Sequence, residues 1–62
     1  MNLGQQFLIA RKDADKTQEE VFKATGVQIA TISNLENGKG DPKKSTLEKL
    51  SNFYGYKIQL SK

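Results

Sequence analysis

The side chains of this chain that could do chemistry are lysines and amides, because its 62 residues include no histidine and no cysteine. Over residues 1–26 the basic and acidic side chains cancel, whereas from Val27 onward lysines outnumber carboxylates, so the net charge of +3 arises in that second part. Clustered ammonium groups attract phosphates, which indicates a nucleic-acid partner. A lysine-rich surface that keeps a small protein soluble explains the same charges.

Catalysis and metal binding find little support in the sequence. The carboxylates cluster only as Asp13 with Asp15 and as Glu19 with Glu20, at predicted helix starts. A chain without imidazole or thiolate lacks the usual nitrogen and sulfur metal ligands. So short a chain can hardly enclose a pocket of the usual ~300 Å³ or more. We therefore predict that the protein is not an enzyme and has no cofactor, no metal and no small-molecule ligand.

The length and composition also indicate how the chain is organised and where it works. A domain of this size buries only about 60% of its unfolded surface, so we expect modest stability unless two copies pair. No apolar run approaches the ~20 residues that cross a membrane, and the start of the chain has no signal-peptide core. The absence of cysteine suits a reducing compartment. We expect a cytoplasmic protein without a membrane partner.

The elements that position these side chains centre on the segment from Thr17 to Gly38. Thr17 followed by Glu20 is a capping-box pattern, which predicts a helix beginning at Gln18. Gly26 predicts the end of that helix, since glycine adopts the left-handed conformation without penalty.

A second helix follows Gly26 after a short turn. Val27, Ile32 and Leu35 fall on one face of it, and Asn37-Gly38 ends it. Two short helices around a glycine turn match the helix-turn-helix motif, whose second helix enters the DNA major groove.

The sequence closely resembles the Cro/repressor (XRE) family over residues 3 to 55. The matching segments are Thr17-Gln18-Glu19-Glu20, Thr25-Gly26-Val27, Thr31-Ile32-Ser33 and Leu35-Glu36-Asn37-Gly38-Lys39. The resemblance implies an all-α, compact four-helix, lambda-repressor-like domain over residues 1–55 with its motif at 17–38. It also implies a bacterial or phage-encoded regulator that is nucleoid-associated when bound to DNA.

The two flanking helices are predicted from periodicity and caps. The first runs from residue 2 or 3 to Asp13, with inward positions Leu3, Phe7 and Ala10. The last is expected to begin at Ser45, which forms a second capping box with Glu48, and to end at Gly55. Its inward positions are Leu47, Leu50 and Phe53 or Tyr54.

The family resemblance assigns Arg11 and Glu36 to a structural ion pair. Two positions depart from the family pattern. Asp15-Lys16 stands where Gly-Leu is common, and Phe22 stands where alanine usually lets the motif helices approach closely.

The resemblance also implies the DNA contacts. The base-reading residues would be Gln28, Ile29, Ala30, Ser33 and Asn34. Amide side chains suit the N6/N7 edge of adenine and apolar ones suit thymine methyls, so this set favours a half-site containing A·T pairs. Ile29 as a core residue and Asn34 as a plain surface amide are the alternatives. The phosphate-binding residues would be Gln18, Thr31, Asn37, Lys39, Lys43 and Lys44.

The last seven residues, 56–62, alternate apolar and polar side chains, which is typical of a β-strand. A lone strand needs a partner from another molecule, so Tyr56, Ile58 and Leu60 would form a dimer contact between two copies. A frayed tail is the alternative. Similar short strands occur in helix-turn-helix antitoxins of the HipB type.

Two functions remain open, besides a helix-turn-helix fold that has lost DNA binding. The first is a dimeric, sequence-specific repressor that binds double-stranded DNA at a palindromic operator. The second is a HipB-like antitoxin that binds a toxin protein and autoregulates its operon. The exposed part of Leu8 or Ile9 would belong to the toxin-binding surface in that case.

Overall fold

Four α-helices form the part of the chain that the computed structural model describes, residues 3–55. They are α1 (Leu3–Asp13), α2 (Gln18–Thr25), α3 (Ile29–Glu36) and α4 (Lys44–Tyr54). The predicted all-α, four-helix class is therefore confirmed for these residues. The predicted strand, with Tyr56, Ile58 and Leu60, lies outside the described residues.

The core lies between two pairs of helices, because α1 and α2 each pack against both α3 and α4. The inward positions expected from periodicity are confirmed except for Leu3, which is only partly buried. The buried apolar residues are Phe7, Ala10, Val21, Val27, Ile32, Leu35, Leu47, Leu50 and Tyr54. Leu3, Ala14, Phe22 and Phe53 pack against this core while only partly buried. Phe22, the departure from the family's alanine, thus lies at the edge of the core.

Helix α2 begins and ends where its caps predict. The Glu20 amide donates to the Thr17 hydroxyl at 3.1 Å, and the Thr17 amide donates to the Glu20 carboxylate at 2.8 Å. This reciprocal capping box also lowers the pKa of Glu20, mainly because the backbone of Thr17 bonds its charged form. At the other end, Gly26 has a φ of 81° and its amide donates to the Phe22 carbonyl at 2.8 Å.

The start of α4 differs from the prediction. The helix begins at Lys44, and its N-cap is Lys43, which makes no side-chain capping bond, so Ser45 lies inside the first turn. The Leu47 amide donates to the Lys43 carbonyl at 3.1 Å. Because of this backbone hydrogen bond, the first turn of α4 begins before Ser45, the start that the capping-box pattern predicted. Pro42 restricts the residue before it to extended backbone, so the chain can turn into the helix only after the proline.

The end of α1 explains one departure from the family pattern. Asp15 has a φ of 59°, the left-handed conformation that favours glycine. The Lys16 amide donates to the Arg11 carbonyl at 3.2 Å, and the Asp15 amide donates to the Lys12 carbonyl at 3.0 Å, which closes the helix end. Asp15 therefore occupies a position with the conformation of a glycine.

Helix α1 approaches the end of α3 closely at Gly4. A Cβ atom on this buried residue would collide with the Leu35 carbonyl oxygen and lie 3.3 Å from the Glu36 oxygen and the Gly38 nitrogen. The absence of a side chain at Gly4 thus lets two backbones touch and sets the position of the last turn of α3. None of the four described helices is long and apolar enough to span a membrane.

Candidate nucleic-acid interface

The outward face of α3 carries the side chains predicted to read bases. Gln28, Ile29, Ala30 and Asn34 are exposed, whereas Ser33 is half-buried. Ile29 leaves 40% of its surface exposed, so it is not a core residue. Val27, Ile32 and Leu35 are buried on the opposite face, and the helical period then leaves the predicted readers outside.

The turn before α3 is held by side-chain and backbone bonds. The Thr25 hydroxyl donates to the Val21 carbonyl at 2.7 Å and accepts from the Val27 amide at 3.1 Å. Gln28 precedes the helix without a side-chain capping bond. The first turn of α3 therefore starts from a fixed turn, and its amide groups are not capped by the Gln28 side chain.

The chain folds back along α3 after the helix ends. The Lys39 amide donates to the Asn34 carbonyl at 2.7 Å, and Gly38 and Gly40 have φ angles of 74° and 79°. A cleft forms between α3 and this loop. It is lined by Thr31, Asn34, Leu35, Lys39, Gly40, Asp41 and Pro42.

Of the lysines predicted to bind phosphates, Lys39 lines this cleft, and Lys43 and Lys44 follow its last lining residue in the sequence. Lys39, Lys43 and Lys44 are all exposed, the first beside Asn34 and the other two at the start of α4. Thr31 is half-buried, and Asn37 is exposed with its side-chain amide 3.5 Å from the Ser33 hydroxyl. An exposed amide and apolar surface with flanking cations is the arrangement that base edges and backbone phosphates require.

A polar network joins α1, α2 and the last residue of α3. Arg11 Nε donates to Glu36 Oε2 at 2.7 Å and Arg11 Nη2 donates to Glu36 Oε1 at 3.1 Å, so the pair implied by the family resemblance is present and bidentate. Arg11 Nη1 also donates to the Lys16 carbonyl at 2.8 Å. The hydrogen bond to Glu36 raises the pKa of Arg11 although burial opposes it.

Gln18 belongs to the same network. Its Nε2 donates to Glu36 Oε1 at 3.0 Å, so the amide predicted to bind a phosphate is held by the last residue of α3. The sequence did not predict this bond, nor the close approach at Gly4. A glycine inside a helical pattern is the signal that could have indicated the latter, because it needs a packing reason.

Helix α3 follows α2 after the turn at Gly26, has an exposed outer face and is followed by exposed lysines. This arrangement defines a helix-turn-helix domain of the DNA-binding type. The model of the helix-turn-helix family matches residues 8–60. The chain belongs to this family, whose Cro/repressor (XRE) members are DNA-binding transcription regulators and not a class of enzymes.

Two curated proteins are similar to the chain. The transcriptional repressor RstR of the cryptic phage CTXphi, from Vibrio cholerae, is 44% identical over 48 residues, which are 77% of this chain and 43% of that protein. The uncharacterized HTH-type transcriptional regulator MJ0272, from Methanocaldococcus jannaschii, is 42% identical over 43 residues, or 69% of this chain and 65% of that protein. The chain thus spans less than two thirds of either relative. No solved structure matches it.

Proposed function

We propose that the protein binds double-stranded DNA sequence-specifically and acts as a dimeric transcriptional repressor at a palindromic operator. The observation that carries this proposal is the outward face of α3, where amide and apolar side chains stand exposed, with the exposed Lys39, Lys43 and Lys44 following the helix. The similarity to a protein described as a transcriptional repressor supports the direction of regulation.

Base reading is assigned to the exposed face of α3. The amides of Gln28 and Asn34 can donate and accept together, as the N6/N7 edge of adenine requires. Ile29 and Ala30 would pack against thymine methyl groups. No arginine lies on α3, so the common bidentate guanine contact is not made from this helix. The half-site should therefore contain A·T pairs at the positions facing α3.

Phosphate binding is assigned to the groups around that face. Lys39, Lys43 and Lys44 supply mobile positive charge, and Gln18 supplies an amide donor at the first position of α2. Phosphate contacts set the register of the protein on the duplex without selecting its sequence.

A dimer would place two copies of α3 in successive major grooves. Half-sites of a twofold operator would then lie one helical turn, about 34 Å, apart. Repression would follow from steric exclusion of polymerase at the occupied operator. The residues proposed to pair the copies are Tyr56, Ile58 and Leu60.

The experiment that tests this function combines selection with a mass measurement. A random duplex pool is selected on the protein, and the mass of the protein is recorded alone and with the selected duplex at two salt concentrations. A complex of two chains per duplex that weakens steeply with salt is expected. A pool without enriched sequence, with a monomer that pairs only when a protein partner is added, would contradict the proposal and would favour a protein-binding role, for which the 41% exposed Ile9 on α1 offers apolar surface.

Substitutions at Asn34 and Lys43 separate base reading from phosphate binding. Asn34→Ala should weaken binding to the selected duplex by about 1 to 3 kcal/mol and relax the preference at one base position. Lys43→Ala should weaken binding to all sequences and reduce the salt slope by about 1. Titrations of both variants against selected and scrambled duplexes measure this, and identical behaviour of the two would show that the assignments are wrong.

A further inference from the structure

We propose that Glu36 is a positioning residue for phosphate binding, which holds the Gln18 amide toward a DNA phosphate while Arg11 neutralises the carboxylate. This role goes beyond the structural ion pair and rests on the proposed DNA binding. Its basis is that one carboxylate oxygen, Glu36 Oε1, accepts from both Arg11 Nη2 at 3.1 Å and Gln18 Nε2 at 3.0 Å.

The chemistry of the pair dictates how the Gln18 amide is turned. An ionised carboxylate only accepts hydrogen bonds, so the amide must face Glu36 with its nitrogen and not with its oxygen. One N–H hydrogen of Nε2 is used in that bond. The second N–H hydrogen is then the remaining donor of this half-buried side chain, and a phosphate oxygen is an acceptor that it can serve.

The second N–H group of the Gln18 side chain lies at the start of α2. Gln18 is the first residue of α2, where the backbone amides of Gln18 and Glu19 have no helical partner while that of Glu20 is capped by Thr17. A glutamine side chain loses much rotamer freedom when it is ordered. Because Glu36 already orders it in the free protein, binding does not have to supply that entropy again.

Arg11 is required because an unneutralised carboxylate near a phosphate would repel it. The Glu36 side chain is only 4% exposed and the Arg11 side chain 14%, so solvent screens their charges little. The guanidinium engages both carboxylate oxygens, and the pair is neutral as a unit. Glu36 can therefore orient a phosphate-binding amide without adding negative charge to the interface.

The test uses a background in which the acceptor is removed without a change of net charge. The double variant Arg11→Met with Glu36→Leu keeps the formal net charge at +3, since one charge of each sign is lost. Apolar replacement of a buried ion pair by residues of similar size is often neutral for stability. Gln18→Ala is then made both in the wild-type protein and in this background, and circular dichroism establishes that each variant is folded.

Affinity for the selected duplex is the readout. In the wild-type protein Gln18→Ala should weaken binding about tenfold, the effect of one hydrogen bond to a charged group. In the Arg11→Met, Glu36→Leu background it should weaken binding about twofold or less, because the amide is no longer held. Neither change should alter the salt slope, since Gln18 is uncharged and the background keeps its net charge. Asn52→Ala, an exposed amide near the end of α4, is the control and should leave affinity unchanged in both backgrounds.

Equal losses from Gln18→Ala in the two backgrounds would overturn the inference, because they would show that Gln18 acts without Glu36. Failure of the wild-type protein to bind any selected duplex would instead overturn the proposed function itself. The two failures are therefore distinguishable.

A measurement on the wild-type protein covers the case in which the double variant does not fold. In a ¹⁵N–¹H spectrum, one side-chain amide proton of Gln18 should be shifted and slow to exchange in the free protein, because it bonds the carboxylate. Addition of duplex should then shift the other proton. The proposal would be contradicted if both side-chain amide protons of Gln18 had the chemical shifts of an exposed glutamine, before and after duplex is added.

Discussion

At the scale of single residues, the polar contacts of this domain converge on Glu36. Its carboxylate receives Arg11 from α1 and Gln18 from α2 while it is itself the last residue of α3. Arg11 additionally holds the Lys16 carbonyl, just before the cap of α2. Three helices are thus tied by side chains that are far apart in the sequence, and one of them, Gln18, belongs to the surface proposed to meet DNA.

Replacing Asp15 should stabilise the protein. Its φ of 59° is a conformation that L-residues other than asparagine and aspartate rarely adopt. Asp15→Gly should raise the free energy of unfolding by about 0.5 to 1 kcal/mol, since glycine adopts this conformation without a Cβ penalty. Urea unfolding measures the change. Lys49→Gly, at an exposed position inside α4, is the control and should lower the stability by about 1 kcal/mol.

Tyr54 should limit stability at high pH. Its hydroxyl is buried without a hydrogen-bond partner among the described residues, and burial, reinforced by the Glu36 carboxylate, raises its pKa to about 12. Because the folded pKa lies above the ordinary value of about 10, the folded state keeps this proton longer than the unfolded state. Stability is therefore full below about pH 10 and falls as the pH rises toward 12.

Tyr54→Phe should remove that alkaline loss and should raise stability at neutral pH by about 1 kcal/mol, because an unsatisfied hydroxyl no longer has to be desolvated. Thermal unfolding at pH 7 and at a series of values from 9 to 12 measures both effects. An unchanged alkaline profile in the variant would show that another group is responsible.

At the scale of elements, the four helices differ in what starts and ends them. Helices α2 and α4 both end at a left-handed glycine, with φ angles of 81° at Gly26 and 75° at Gly55. Their starts differ, because α2 has a complete capping box and α4 has no side-chain cap. The short motif helices also depend on packing, since isolated helices of eight residues are not stable in water. Val21, Ile32 and Leu50 supply that packing from three different helices.

Thr17 and Ser45 share the same sequence pattern but should respond differently to alanine. Thr17→Ala removes a side chain that bonds the Glu20 amide, so it should lower the free energy of unfolding by about 1 kcal/mol. Ser45 lies in the first turn of α4 and caps nothing, so Ser45→Ala should change stability by less than about 0.5 kcal/mol. Denaturant titrations of both variants provide the comparison, and equal losses would contradict the structural start of α4.

At the scale of the whole molecule, the domain separates scaffold from interface. Helices α1 and α2 pack against the inner side of α3, and the outer side of α3 stays exposed beside the lysine-bearing loop. The excess positive charge of the chain comes after Val27, and three of those lysines, Lys39, Lys43 and Lys44, lie in the loop after α3 and at the start of α4. One copy offers a single reading helix, and a palindromic operator would engage two.

Removal of residues 56–62 should turn the proposed dimer into a monomer. The alternating apolar residues Tyr56, Ile58 and Leu60 are predicted to pair the copies. Because the core of the described residues is complete between Phe7 and Tyr54, we expect the shortened chain to remain folded. Light scattering gives the mass, and binding to the selected operator should weaken and lose its two-to-one stoichiometry. A dimer mass that survives the truncation would remove the strand from the proposal.

The sequence by itself determined the features that depend on neighbouring residues. Helix periodicity placed the inward faces, and the caps at Thr17 and Gly26 marked the bounds of α2, because these signals act within one or two turns. The exposure of Ile29 also followed from this reasoning, since Val27 and Ile32 already occupied the inner face. The family was recognisable for the same reason, as its motif is a run of local signals in a constant register.

Only the tertiary structure decided the features that depend on distant residues. The close approach at Gly4 follows from how α1 meets the end of α3. The bond from Gln18 to Glu36 joins residues 18 positions apart. Such contacts depend on the distance and angle between packed helices, and a side-chain pattern along one helix carries no information about either.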